Sequence, residues 1–298
     1  LGLEDRVLSL PELWLCYHCG ECSDTCPRSA DPGEFMMALR RYAIQKYSWG
    51  GIAKIFYSKT ALSIALSIFT VFVAAMILLF HGPINIEHVG IYSFISYDVI
   101  HLAGLAAGAF IGLSILANLL IMYFKFIRRG ISGSIGSSLP KKIGIWIWGL
   151  ILTVVREMLA QRKYFECENK HRYVAHMFLF WGFIGLFAAT SIHYMGDLAG
   201  IHVSWIYPRI LGIATGVLLM YGTCYFMYKR AERKENFTTY SHFSDWLFLI
   251  LMFLTGLTGF LITVFITLNM AILTYVMYGL HLLFLFDLLV TAPFTKFA

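Results

Sequence analysis

Long apolar runs alternate with short polar segments along most of the chain, and this alternation predicts helices that cross a membrane. A helix rises 1.5 Å per residue, so about 20 apolar residues span a hydrocarbon layer of about 30 Å. Each run must be helical, because lipid offers no hydrogen-bond partner to an open backbone. The predicted spans are residues 60–80, 98–124, 173–195, 206–228, 245–267 and 270–292.

The composition places the chain outside the soluble globular range. Of its 298 residues, 59% are hydrophobic and only 13% are charged. The formal net charge is +6, but no basic stripe is interleaved with solvent-facing aromatic residues, and we therefore expect no nucleic-acid partner.

Basic residues orient the predicted spans. Lysine and arginine collect before the first span, in 125–172 and in 229–244, whereas 81–97 and 193–208 contain neither. Basic loops face the cytoplasm, so we expect a multi-pass protein of the cytoplasmic (inner) membrane with both termini in the cytoplasm. A buried, soluble helical bundle would not produce this alternation.

Two segments outside the spans are also predicted to be helical. Asp31 has the position of an N-cap, with Pro32 at the first helical position and Glu34 three residues after the cap. A second helix near 143–160 is too short to span and carries two tryptophans, which favours the cytoplasmic membrane surface.

Four cysteines in the stretch LCYHCGECSDTCP, residues 15–27, indicate a metal centre. Cys16, Cys19, Cys22 and Cys26 follow the pattern C-x2-C-x2-C-x3-C-P, in which the first three thiolates hold one [4Fe–4S] cluster and the fourth serves another. Structural zinc and free thiols are the alternatives. The chain starts at Leu1 rather than Met, so we expect a truncated start with a second such motif upstream.

The two other cysteines have no partner pattern. Cys224 lies inside a predicted span and is interpreted as packing, and Cys167 as a loop thiol.

Histidines inside the spans are candidate ligands of b-type haem, because ionisable residues within a membrane are usually functional. His176 lies near the cytoplasmic start of the third span and His193 near its outer end. His281 lies in the outer part of the sixth span, and His101 near the outer end of the second. For each, a structural hydrogen bond is the alternative interpretation.

The segment LWLCYHCGECSDTCPRSADPGEFMMALRRYAIQKY resembles the iron–sulfur region of the C subunits of heterodisulfide reductases and of quinone-interacting membrane-bound oxidoreductase (Qmo) complexes. The spans from about 98 onward resemble the five-helix cytochrome b (gamma) subunit of respiratory nitrate reductases. Both parts in one chain correspond to the layout of Qmo C subunits. The resemblance implies an all-α integral membrane protein of six transmembrane helices, in which a small ferredoxin-like iron–sulfur region, 1–59, precedes a cytochrome b domain, 60–298.

The resemblance also implies a function. The chain would carry electrons between the menaquinone or quinone pool and cytoplasmic flavin and iron–sulfur subunits, through two b haems and one or two [4Fe–4S] clusters. Adenylylsulfate reductase would be the soluble redox partner, in sulfate respiration. Tyr194, Asp197 and His202, near the outer loop, are candidate quinone contacts, with interfacial anchoring as the alternative.

The depth of each histidine in the membrane predicts which histidines share a haem. His176 and His193 are 17 residues apart, about 25 Å of helix, and point about 100° apart unless a tilt or a kink near Gly182 and Gly185 intervenes. We expect His193 and His281 to share the outer haem, with His101 as the fallback partner. His176 would hold the inner haem with a ligand beyond residue 298.

Two other functions remain open. A heterodisulfide reductase membrane subunit would differ in its soluble partner. A transporter with an N-terminal metal sensor belongs to a different class, and the broken helix pairs typical of many transporters are not evident. Asp287, in the sixth span, is interpreted as either a proton-handling group or a hydrogen-bond partner of a neighbouring helix.

Overall fold

A computed structural model describes residues 3–8, 10, 12–87, 89–124, 148–149, 151–201 and 203–295. Within these ranges, the side chains of residues 3, 5, 6, 193, 197, 236 and 237 are outside the description. The described part is helical and contains no strand. The prediction of an all-α protein is therefore confirmed for these residues.

Six helices are long and apolar enough to cross a membrane, which confirms the predicted number of spans. The helix after the cysteines is called α1 here, and the spans follow it as α2 to α7. Their bounds are α1 Pro32–Tyr47, α2 Lys59–Phe80, α3 Tyr97–Met122, α4 Lys170–Leu198, α5 Ile206–Glu232, α6 Phe243–Thr267 and α7 Ala271–Thr291.

Short helical turns connect these helices. The α-helical ones are Leu3–Leu8, Glu12–Leu15, Glu21–Asp24, Ala53–Phe56, Ile91–Phe94, Arg162–Glu166 and Asn236–Thr239, the 3₁₀ turns are Trp49–Gly51 and Ala292–Phe294, and Val154–Leu159 is a π-helix. The predicted interfacial helix near 143–160 is helical at 148–149 and 151–159; its remaining residues lie outside the description, and its place at the membrane surface stays a prediction.

Helix α1 begins as the sequence predicts. Asp31 is the N-cap and Pro32 the first helical residue, and the Asp31 carboxylate accepts the backbone N–H of Glu34 at 3.5 Å. The Glu34 side chain pairs with Arg41, 2.6 Å away, further along the helix.

The N-terminal region has a small apolar core of its own. Leu8, Leu13, Ala43 and Tyr47 are buried together, and Met122 at the end of α3 packs against them. The Tyr47 hydroxyl donates a hydrogen bond to the carbonyl of Leu8. Burial of these side chains holds the N-terminal turns against α1 and against the membrane helices.

Asn118 of α3 fastens this region to the bundle. Its side-chain oxygen accepts the Trp49 N–H at 3.0 Å, and its amide nitrogen donates to the Pro293 carbonyl at 3.3 Å. Phe294 is buried beside Phe56, with ring centroids 5.3 Å apart. The end of the last span and the segment before the first span therefore meet at one side of the bundle.

The spans pack in chain order from α4 to α7. Helix α4 packs on α5, α5 on α6 and α6 on α7, and α7 contacts α2 and α3. A Cβ at Gly182 would lie 2.6 Å from the Leu219 nitrogen, and one at Gly222 would lie 2.6 Å from the Ala175 oxygen. Glycine therefore permits close approach of the α4 and α5 backbones, as small residues do in membrane helices.

Helix α4 is continuous from Lys170 to Leu198. Gly182 and Gly185 face α5, and Thr215 of α5 lies against Gly185; a tilt or a kink near these glycines stays a prediction.

Candidate cofactor sites

The cysteine loop, residues 15–27, follows the short helix Glu12–Leu15 and contains the helical turn Glu21–Asp24. His18 and Gly20 have positive φ angles, 53° and 91°, which fold the chain back on itself between Cys16 and Cys22. The His18 N–H points at the Cys16 sulfur, 3.4 Å away. The turn thus holds Cys16, Cys19 and Cys22 within one short loop.

Arg40 of α1 holds the loop in place. Its guanidinium donates to the Leu13 carbonyl at 2.7 and 3.0 Å and to the Cys16 carbonyl at 2.5 Å. Burial lowers the pKa of Arg40. The charged guanidinium donates only to backbone carbonyl oxygens in this loop. The loop therefore cannot move away from α1 without breaking these charge-assisted hydrogen bonds.

Ser23 anchors the other half of the loop. Its hydroxyl donates to Asp31 at 2.5 Å and accepts the Gly33 N–H at 3.1 Å. Gly33 lies close to the loop, since a Cβ there would be 3.0 Å from the Ser23 hydroxyl and 3.8 Å from the Cys22 sulfur. The start of α1 thus holds the second half of the cysteine loop, and Arg40 further along α1 holds the first half.

Cys26 differs from the three cysteines before it. Its sulfur accepts the Ala30 N–H at 3.5 Å, and backbone N–H groups, that of Ala30 foremost, lower the pKa of its thiol. Burial raises the pKa of the Cys22 thiol instead. The assignment of Cys26 to a second cluster stays a prediction.

Cys167, interpreted from the sequence as a loop thiol, joins this site. The ligand atoms of Cys19, Glu21 and Cys167 all lie within 4.8 Å of one another. Glu168 donates its N–H to the Glu21 carboxylate at 2.6 Å, which fastens the Cys167 segment to the cysteine loop. No spacing rule connects cysteines so far apart along the chain, and the sequence alone therefore did not reveal this contact.

The donor set fits an iron–sulfur cluster. The cysteines of the loop are free thiols rather than disulfides, and N–H groups point at the sulfurs of Cys16 and Cys26, as suits thiolates. A cavity of about 440 Å³ opens beside Cys19 and Cys167. Zinc, which also binds thiolate and carboxylate, stays the alternative.

Tyr164 connects the cysteine loop to the membrane bundle. Its ring stacks on Tyr17 of the loop with centroids 5.4 Å apart and meets the His176 ring of α4 edge-on at 5.1 Å. Arg172 lies over the same ring at 5.6 Å. Tyr164 is 2% exposed, so the loop and the first of the candidate haem histidines in α4 share one packed aromatic contact.

The imidazoles of His176 and His281 lie in different surroundings. His176 Nδ1 is buried and has no hydrogen-bond partner among the described residues. His281 Nδ1 lies 3.0 Å from the Thr255 carbonyl and 3.1 Å from the Thr258 hydroxyl. Because a carbonyl only accepts, Nδ1 carries the proton and Nε2 keeps its lone pair, which is the state of a haem ligand.

An aromatic group lies at the end of the bundle where α3 begins and α4 ends. The His101 ring of α3 stacks on Tyr194 of α4 at 4.6 Å, and its Nδ1 lies 2.8 Å from the Tyr97 carbonyl. The structure thus places His101, the fallback haem ligand, against Tyr194, a candidate quinone contact. The side chains of His193 and Asp197, and the whole of His202, lie outside the described residues.

One curated protein shares a short segment with this chain. It is a heterodisulfide reductase C-subunit-like protein of Archaeoglobus profundus, 42% identical over 53 residues. The match covers 18% of this chain and 28% of the relative, so the chain spans about a quarter of that protein. It supports the resemblance to heterodisulfide reductase C subunits. No family model matches the chain. No solved structure matches it either.

Proposed function

We propose that this chain is the membrane electron-transfer subunit of a quinone-interacting oxidoreductase complex. It would connect the menaquinone or quinone pool with cytoplasmic flavin and iron–sulfur subunits, and through them with adenylylsulfate reductase. The similarity to a heterodisulfide reductase C-subunit-like protein supports the coarser part of this proposal, an iron–sulfur subunit of a multi-subunit redox complex.

One observation carries the proposal. Tyr164 contacts both Tyr17 in the cysteine loop and His176 near the start of α4. The same ring thus lies between the proposed cluster loop and a proposed haem ligand. The contact therefore favours a cluster and a haem that exchange electrons over a short distance.

Each group of candidate residues has its own role in this proposal. Cys16, Cys19 and Cys22 would hold the [4Fe–4S] cluster, and Cys26 would serve a second one. Two b haems would be held by the histidines of the spans, namely His176, His193 and His281, with His101 as the fallback. When bound, these groups would supply one-electron transfer.

The outer aromatic group would receive the quinone. Tyr194, Asp197 and His202 belong to the outer end of the bundle by their place in the chain, and the stack of His101 on Tyr194 supports a flat, aromatic binding surface there. A quinone headgroup has an apolar ring and polar oxygens. Tyrosine and histidine side chains offer the matching combination of an aromatic ring and a polar atom.

A visible spectrum of the purified full-length complex tests the proposal. We expect a haem Soret band and α bands that sharpen on reduction by a quinol, together with iron and acid-labile sulfide. Cys19→Ser should lose the iron and sulfide of the cluster held by Cys16, Cys19 and Cys22 and keep the haem bands, because the two sites belong to separate parts of the chain. A colourless preparation made with ample haem would contradict the proposal, and zinc in that preparation would favour the transporter with a metal sensor.

The name of the relative favours a second candidate, the membrane subunit of a heterodisulfide reductase. It predicts the same spectrum but a different soluble partner. Mass spectrometry of the proteins that copurify with the chain distinguishes the two. Adenylylsulfate reductase among them supports the first proposal, and a heterodisulfide-reducing subunit supports the second.

A further inference from the structure

Cys19, Glu21 and Cys167 form a group of metal-binding side chains that the cluster proposed for the cysteine loop does not explain. Their two sulfur atoms and one carboxylate oxygen all lie within 4.8 Å of one another. Two thiolates bound to the same tetrahedral ion at about 2.3 Å are about 3.8 Å apart. In a cubane, each thiolate binds a different iron, and the sulfurs are further apart. The geometry therefore fits a single metal ion.

The three side chains line one cavity of about 440 Å³. Of the cysteines in the described part of the chain, Cys19 and Cys167 line it, whereas Cys16 and Cys22 do not. The cavity leaves room for a water molecule beside an ion. Zinc sites with three protein ligands keep such a water in the fourth position. The site thus has space for tetrahedral coordination.

Contacts that need no metal hold the three side chains together. One carboxylate oxygen of Glu21 accepts the backbone N–H of Glu168 at 2.6 Å. A carboxylate has a second oxygen, which can bind an ion at the same time. Lys170 donates to the Cys167 carbonyl at 3.0 Å and fixes the segment before α4. The ligand atoms are therefore brought together by the fold of the chain itself.

Arg172 balances the charge of such a site. Two thiolates and one carboxylate carry three negative charges, and a divalent ion leaves one of them uncompensated. Arg172 lies in the wall of the same cavity and is 6% exposed. A buried charge is tolerated when an opposite charge lies nearby, and the guanidinium provides it.

We infer that Cys19, Glu21 and Cys167 bind a single divalent metal ion of the thiolate-binding class to which Zn²⁺ belongs. Water is the fourth ligand of this ion. Cys19 is also a proposed ligand of the cluster, so the single-ion site belongs to the chain before a cluster is inserted. The inference does not rest on the proposed function, because these three residues bind the ion whether or not a cluster follows.

X-ray absorption at the zinc edge tests the ligand set. The sample is the full chain, freed of any iron–sulfur cluster by oxidation and chelation and then loaded with an equal amount of Zn²⁺. We expect two sulfur ligands at about 2.3 Å and oxygen ligands at about 2.0–2.2 Å. Four sulfur ligands would mean that the cysteines of the loop hold the ion by themselves, and would overturn the inference.

Zinc affinity of single variants tests each ligand. Loss of an outer-shell partner alone weakens metal binding about 10–100-fold, so Cys167→Ala and Glu21→Gln should weaken it at least as much. Glu168→Gln is the matched control, because it removes the same charge from the same cavity wall and its side chain is not in the group. Wild-type affinity in Cys167→Ala would overturn the inference, and equal losses in both glutamine variants would remove Glu21 from the ligand set.

A further variant isolates the site from the rest of the cysteine loop. Replacement of Cys16, Cys22 and Cys26 by alanine leaves the inferred ligands in place. This chain should bind Co²⁺ with the visible bands of tetrahedral cobalt and a thiolate charge-transfer band, and additional Cys167→Ala should abolish both. A folded triple variant without these bands would contradict the inference. If the triple variant does not fold, the zinc ligands of the wild type decide.

The inference and the proposed function can fail separately. A native complex without iron and acid-labile sulfide would overturn the proposed function, and the zinc site of the full chain would still stand. A native complex that contains iron and sulfide, but whose cluster-free chain binds Zn²⁺ through four sulfurs, would overturn the inference alone.

Discussion

The Nδ1 atom of His281 lies 3.0 Å from the carbonyl oxygen of Thr255 on the neighbouring helix α6. A backbone carbonyl at this position orients the imidazole and leaves Nε2 free, the arrangement in which most metal-binding histidines are found. The backbone near Thr255 thereby determines which nitrogen of His281 is available to a haem.

Gly259 gives the first prediction, because a Cβ there would lie 3.3 Å from Cε1 of His281. Gly259→Ala should push the imidazole away from Thr255, and it should shift the signal and lower the occupancy of the haem proposed for His281. Reduced-minus-oxidised absorbance per protein and paramagnetic resonance measure both effects. Gly279→Ala is the control, since a Cβ there meets nothing within 4 Å.

An unaltered haem in Gly259→Ala, together with two retained haems in His281→Ala, would contradict the assignment of His281. His193→Ala and His101→Ala extend the test to the partner. If His193→Ala keeps both haems and His101→Ala loses one, the second span carries the outer ligand and the predicted pairing is wrong.

Arg40 gives the second prediction. Arg40→Gln removes the guanidinium bonds to the Leu13 and Cys16 carbonyls. Bonds from a charged donor contribute about 1.5–3 kcal/mol each, so the cysteine loop should lose stability and iron. Iron per protein and the rate of proteolysis within 15–27 are the measurements. Arg41→Gln, which removes only the partly exposed pair with Glu34, should retain iron as the wild type does.

Thr70 and Asp287 give the third prediction, which concerns the contact of α2 with α7. The Thr70 hydroxyl donates to the buried Asp287 carboxyl at 2.9 Å, and the other carboxyl oxygen has no partner among the described residues. This contact is one of the two roles predicted for Asp287. Thr70→Val leaves a buried carboxyl with no hydrogen bond, at a cost of about 1–3 kcal/mol.

Replacing both partners should restore part of that loss, because no orphaned polar group then remains. We expect the thermal midpoint of Thr70→Val in detergent to be lower than that of Thr70→Val combined with Asp287→Leu. A double variant that is as unstable as the sum of the single ones would show that the contact is not energetically coupled. Asp287→Asn with normal quinol oxidation would further exclude a role in proton handling.

Tyr164 gives the fourth prediction. Tyr164→Ala removes the ring between Tyr17 and His176, and each aromatic pair contributes about 0.5–1.5 kcal/mol beyond its buried area. Amide exchange within 15–27 should accelerate roughly fivefold to thirtyfold, the factor that corresponds to one or two kcal/mol. Tyr164→Phe keeps the ring and should exchange like the wild type. Equal exchange in the alanine variant would mean that the loop is held by its other contacts.

Tyr47 gives a fifth prediction, on pH. Burial raises the pKa of Tyr47 to about 12. The pKa of Tyr47 is higher in the folded than in the unfolded chain. The contribution of neutral Tyr47 to the free energy of unfolding is therefore complete below about pH 10, and it is lost as the pH rises towards 12. Fluorescence of Trp14, whose ring lies 5.7 Å from that of Tyr47, should report earlier loosening in wild type than in Tyr47→Phe above about pH 10. The same dependence of Trp14 fluorescence on pH in both proteins would contradict this prediction.

Local chemistry explains why much of the architecture could be predicted from the residues. The six spans follow from length and hydropathy, because a membrane requires about 20 apolar residues in a helix. The start of α1 at Asp31 and Pro32 follows from capping, which acts within about four residues. The cysteine turn follows from a spacing of two and three residues, which is also a local property of the chain.

The residues alone therefore predict the set of helices and the grouping of Cys16, Cys19, Cys22 and Cys26. The packing of the folded chain was needed to bring Cys167 to Cys19, Tyr164 between Tyr17 and His176, and the Thr255 carbonyl to His281. These contacts join different segments of the chain, and they depend on how whole helices pack. Helix packing is decided by the summed fit of many side chains and close-packed glycines, which no short pattern of residues encodes.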